Sequence, residues 1–99
     1  MINTIFKQIN YDIFSNELDK PIFRVHDLTD FYGFYHREFG MDIIEINNDL
    51  TWFDGWCTLA HEMIHQWQQE NGLNLKHNKV FYKKARQIEK FYNIKRGSV

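Results

Sequence analysis

Apolar residues at the N-terminal end, Ile2, Ile5, Phe6, Ile9 and Ile13, recur at intervals of three and four, the spacing of one face of an α-helix. Asn3 is available to cap this helix, and Ser15, Asn16 and Pro21 mark its exit. From residue 22 to 46 the texture changes to short aromatic and β-branched runs, at 22–26, 31–37 and 41–46, which predict three strands. Their separators at 27–30 and 38–40 predict a tight hairpin between the last two. Gly33, inside the second run, weakens a strand, so it predicts a bulge or a place where another backbone or a ligand comes close. After Asn47 and Asn48 the helical period returns. Asp49, Thr51 or Asp54 can cap a second helix that runs to about Glu70, with Gly72 as its stop. A third helix begins near His77 or Asn78 and runs to about Asn93, burying Phe81, Ala85, Ile88 and Tyr92 while its lysines face outward. Residues 94–99 read as a frayed tail. The pattern predicts one α+β domain over residues 1–99: an N-terminal helix, a three-stranded antiparallel-type sheet, and two further helices.

Apolar residues make up 43% of the 99, enough to bury a core, although a domain this short is marginal on burial alone and gains from a bound metal. The single cysteine, Cys57, excludes an internal disulfide framework and a cysteine-rich zinc site, so any metal must rely on histidine and carboxylate. With no signal-like apolar stretch at the N-terminus and no run long enough to span a bilayer, the expected location is intracellular and cytoplasmic. Charge is unevenly distributed. Residues 1–75 carry 4 Lys/Arg against 12 Asp/Glu, and residues 76–99 carry 8 against 1. A basic third helix either pairs with the acidic remainder of the same domain or faces a polyanion.

The second helix carries the candidate chemistry. His61 and His65 stand one turn apart on the same side, where both imidazoles can reach one ion at about 2.0–2.1 Å. Glu62 points about 100° round the axis from His61, a position from which it reaches a water beside the ion without being a ligand, as a general base must. On a helical wheel Trp52, Trp56, Leu59, Met63 and Trp67 form the apolar stripe, with the two histidines roughly opposite, which argues against a pair of ordinary core histidines. A catalytic zinc takes three protein ligands and keeps one position open. His77, at the predicted start of the third helix, is the best third ligand, and Glu70 is its rival. His26 and His36, in predicted strands, read as surface or partly buried residues.

The stretch Thr58-Leu59-Ala60-His61-Glu62-Met63-Ile64-His65-Gln66-Trp67-Gln68, followed by Gly72 and then by His77 with Phe81 four residues on, resembles the SprT-like zinc metallopeptidases, the group that includes the Spartan DNA–protein crosslink proteases. The resemblance extends upstream to Gly33-Phe34-Tyr35 and to Ile44-Glu45-Ile46-Asn47, and covers roughly residues 30–92. It implies a minimal zincin-like fold with one Zn2+ per chain held by His61, His65 and His77, Glu62 as catalytic residue, and action on DNA-associated proteins. Two departures are visible: there are no cysteines for the C-terminal zinc ribbon of many longer relatives, and the usual His-Gly at the third ligand is His77-Asn78.

The leading expectation is therefore peptide-bond hydrolysis at zinc with Glu62 as base, and a protein or peptide as substrate. Tyr82, His36 and Arg86 are candidates for stabilising the oxyanion. The alternative is a nucleic-acid-associated binding module in which the metal is structural and Lys76, Lys79, Lys83, Lys84, Arg86 and Lys90 contact phosphates.

Overall fold

A computed structural model describes all 99 residues. It is a small α+β structure of three helices and a three-stranded mixed sheet, in the order α1 (Ile2–Phe14), β1 (Ile22–His26), β2 (Gly33–Glu38), β3 (Met41–Asn47), α2 (Trp52–Glu70) and α3 (Lys79–Phe91). No helix is long and apolar enough to cross a membrane.

The sheet order is β1-β3-β2, with β2 antiparallel to β3 and β1 parallel to it. This corrects the expectation of an antiparallel-type sheet. The two-residue connection at Phe39 (φ 53°) and Gly40 (φ 77°), both left-handed as a hairpin of this length favours, forces β2 and β3 to be antiparallel. The connection from β1 to β2 instead steps over the place that β3 fills, so β1 meets β3 on its other side. Asn47 holds that crossing: its Nδ2 donates to the Leu28 and Phe31 carbonyls at 2.7 and 3.0 Å, and its main-chain N–H donates to the Tyr32 carbonyl at 2.8 Å.

One core joins all the elements. Phe6, Ile9, Ile13 and Phe14 of α1, Ile44 and Ile46 of β3, Leu59, Ala60, Met63 and Ile64 of α2, and Phe81, Ala85 and Ile88 of α3 are buried together. Because α2 packs against the sheet, α1 and α3 at once, its buried face is wider than the expected tryptophan stripe. Glu62, Gln66 and Gln68 are buried as well, whereas Trp52 is largely exposed and Trp56 and Trp67 only flank the core.

Caps follow the expected logic with one exception. Thr51 Oγ1 accepts from the Asp54 N–H at 3.1 Å and Asn78 Oδ1 from the Phe81 N–H at 3.1 Å, which fixes the starts of α2 and α3. Asn3 does not cap α1; the helix begins two residues earlier, on the Met1 carbonyl, with no side-chain cap. The lysines of α3 also have an exception, since Lys84 is half-buried with its Nζ 5.2 Å from the Phe14 ring centre and 4.9 Å from that of Trp67. Residues 94–99 are not frayed: the chain turns at Asn93 (φ 55°) and folds back along α3, where the Glu89 carboxylate accepts the Gly97 and Val99 N–H groups at 3.1 and 2.8 Å.

At Gly33 the sheet and α2 come close together. A Cβ there would lie 2.6 Å from the Glu45 carbonyl oxygen and 2.7 Å from Thr58 Cγ2. The expectation of a close backbone approach at this residue is met, and the helix residue that presses on it stands one turn before Glu62. Gly33→Ala is expected to push α2 off β2 and to destabilise the fold by about 1–3 kcal/mol, the usual cost of overpacking. Urea denaturation checks this; a change below about 0.5 kcal/mol would mean that the helix shifts freely.

Candidate metal centre

His61 and His65 lie on α2 and His77 immediately before the cap of α3. The turn through Gly72 brings α3 back against α2, so the three imidazoles converge. His77 Nε2 lies 3.1 Å from both His61 Nε2 and His65 Nε2. Three nitrogens at about 2.0–2.1 Å from one tetrahedral ion would stand roughly 3.3 Å apart, so the observed spacing is that of a ligand set with a small contraction.

The outer nitrogens decide which tautomer is present. His61 Nδ1 is 2.9 Å from the main-chain oxygen of Val99, and His65 Nδ1 is 2.8 Å from Gln68 Oε1. Since both partners can only accept, each Nδ1 carries the proton and each Nε2 turns a lone pair toward the shared point. Two lone pairs thus face His77 Nε2, and three imidazole nitrogens gathered this closely are the donor chemistry that fits a metal. Burial, together with the neighbouring histidines, also holds His61 and His65 below the ordinary histidine range, against the opposing effect of the Val99 and Gln68 bonds, and thus in the neutral form a metal requires.

Gln68 and Phe81 complete the support, and neither role was evident from sequence. Gln68 is fully buried. While its Oε1 accepts from His65 Nδ1, its Nε2 donates to the Lys76 carbonyl at 3.0 Å, so one side chain ties His65 to the residue before His77. Its position three residues after His65 on the same helical face was the available signal. The Phe81 ring centre lies 4.7, 5.0 and 4.6 Å from those of His61, His65 and His77, a platform beneath all three.

Glu62 sits beside the cluster without joining it. It is 6% exposed, and burial pushes it up to about 7 against the opposing influence of the Tyr35 main chain on the edge strand β2. Two openings meet at Glu62 and His61. One is lined by Phe34, Tyr35, Leu75 and His77, and the other, about 290 Å³, by Tyr32, Asp54, Cys57, Thr58, Ser98 and Val99. The Cys57 thiol is pushed up to about 11 by burial and by nearby Asp54 and Glu89, and stays protonated.

The other sequence candidates lie elsewhere. Glu70 is with Asp19 and Asp42 and accepts from Gln66 Nε2 at 2.7 Å, away from the histidines. His26 and His36 grip the two oxygens of Glu45 at 2.6 Å each on the opposite face of β3 from Ile44 and Ile46. Burial alone would raise Glu45, but these two bonds outweigh it and hold the carboxyl below its usual range. Of the three oxyanion candidates, His36 is thus spent on Glu45 and Arg86 on Glu89, while the Tyr82 ring stands 6.4 Å from that of His77. Of the six cations, Lys84 and Arg86 are engaged internally; Lys76, Lys79, Lys83 and Lys90 are exposed.

No protein-family model and no curated protein matches this chain. The reading of the site therefore stands on its own geometry.

Proposed function

We propose that this chain is a zinc-dependent peptidase with a minimal zincin-like fold, in keeping with its resemblance to the SprT-like group. The observation that carries the reading is the meeting of three imidazole Nε2 atoms beside a buried carboxylate that stays outside their cluster.

His61, His65 and His77 would hold the ion. When bound, zinc supplies Lewis acidity toward a carbonyl and acidifies water at its open position. Glu62 takes the proton from the attacking water and passes it to the departing amine, a relay suited to a carboxyl raised toward neutrality. An extended peptide substrate would lie along the free edge of β2, adding a strand to the sheet. Exposed Lys76, Lys79 and Lys83, around the His77 end of α3, suit substrates presented near a polyanion such as DNA.

Protein purified without added metal is expected to carry about one zinc per chain. His77→Ala is expected to lose that zinc and, with it, cleavage of a quenched fluorescent peptide. Elemental mass spectrometry and the peptide assay check both. Wild-type protein without zinc, or His77→Ala with its zinc retained, would remove the three-histidine centre.

A further inference from the structure

We propose that Glu89 is a positioning residue of the metal centre, acting through residues 97–99, which it straps down so that Val99 fixes the orientation of His61. The proposal rests on the reading of the three histidines as a metal site, but concerns residues that touch neither the ion nor the substrate.

Glu89 is the one acid among residues 76–99, and it is 2% exposed. Such burial is expensive for a carboxylate, and an apolar side chain of similar size would pack on α3 without that cost. Arg86 offsets part of it, with Nε 2.6 Å from Oε1 and Nη2 3.1 Å from Oε2. What an apolar residue could not supply is the pair of acceptor bonds to the Gly97 and Val99 N–H groups, both on Oε2. Gly97, at φ 94°, turns the chain so that the N–H groups of alternate residues point at the same oxygen, a conformation that side-chain-bearing residues rarely adopt.

The strap ends on the metal centre. With its N–H held by Glu89, Val99 presents its main-chain oxygen to His61 Nδ1 at 2.9 Å, the bond that leaves His61 Nε2 free as a ligand atom. His65 has Gln68 for the same purpose, from within its own helix. For His61 the acceptor comes from the segment that follows α3 and depends on Glu89. Ser98 and Val99 also form one wall of the opening beside Glu62, so the docked strap shapes the cleft as well as the ligand.

Outer partners of metal-binding histidines typically contribute 10–100-fold to metal affinity. By linkage, zinc must strengthen docking of the strap by the same factor that the strap strengthens zinc. Two full-length variants test this from opposite ends of one bond. Glu89→Met removes both acceptor oxygens and keeps the volume. Gly97→Pro removes a donor and forbids the left-handed turn at an exposed position, leaving the Glu89–Arg86 pair intact, so it serves even if Glu89→Met folds poorly. Zinc affinity is read by competition with a chromophoric chelator, and amide exchange at Gly97 and Val99 by NMR with and without zinc. Each variant is expected to weaken zinc 10–100-fold, the combination no further than the weaker single variant, and zinc to slow exchange of the two amides in the wild type by a similar factor. Unchanged zinc affinity in Gly97→Pro, or amides at 97 and 99 indifferent to zinc, would overturn the strap while leaving the three-histidine centre standing. Wild-type protein that binds no zinc would remove both.

Discussion

Glu62→Gln is expected to leave the zinc content unchanged and to lower the rate of peptide hydrolysis by about two to four orders of magnitude, the range a positioned general base contributes. Glutamine has nearly the same shape, so the substitution removes the proton acceptor while keeping the wall of the cleft. His61 and His65 keep their outer partners, Val99 and Gln68, because neither involves Glu62. In the wild type the rate should rise with pH as the Glu62 carboxyl loses its proton. Burial, opposed by the Tyr35 main chain, sets that carboxyl at about 7, and the charge of a nearby cation draws it lower, so the rising limb is expected below 7. Metal analysis and pH-rate profiles of both proteins decide the matter. Turnover that survives in Glu62→Gln with the zinc in place would exclude Glu62 as the base.

Phe81→Ala is expected to cost about 3–5 kcal/mol, the usual range for truncating a buried phenylalanine. Small domains are stable by only about 5–15 kcal/mol in total, so this change takes a large share. Phe81 is 1% exposed, and its ring is in contact at once with the core of α3 and with all three imidazoles. The loss should therefore appear twice, as a lower urea midpoint and as weaker zinc binding, because the rings lose the surface that holds their mutual angles. Phe81→Leu refills most of the space and should fall well short of the alanine cost. An alanine variant within about 1 kcal/mol of the wild type would mean that the site collapses around the gap and that the platform is dispensable.

The periodicities placed the six elements within a few residues of where they lie, because each amphipathic run is long enough to declare its own period. His61, Glu62 and His65 were legible for the same reason, since their relative placement is set by one helix. His77 was legible as a candidate because Gly72 announced a turn of the length needed to return; what brings it within 3.1 Å of the other two is packing of α3 on α2, which no local pattern encodes. The direction of β1 was not legible. A strand with one buried face alternates in the same way whether its neighbour runs parallel or antiparallel, and the outcome here depends on a crossing loop held by Asn47. Residues 94–99 were misread because their docking uses main-chain N–H groups and one distant carboxylate, leaving no apolar rhythm in the segment itself. A single acid in a strongly basic stretch was the trace it left.

The position of β3 between its two neighbours sets an order of events during synthesis. Ile22 pairs with Ile43, so β1 leaves the ribosome with its apolar residues ready and no strand to receive them. At about 5–20 residues per second the wait is roughly 1–4 s. The hairpin of β2 and β3 closes locally in microseconds once its turn has emerged, and only then does an edge exist on which β1 can settle. Thr51 and the helix it caps follow that edge out of the tunnel. The helix bearing His61, Glu62 and His65 thus arrives at a sheet whose strands are already out, with the bare backbone of Gly33 leaving room for Thr58.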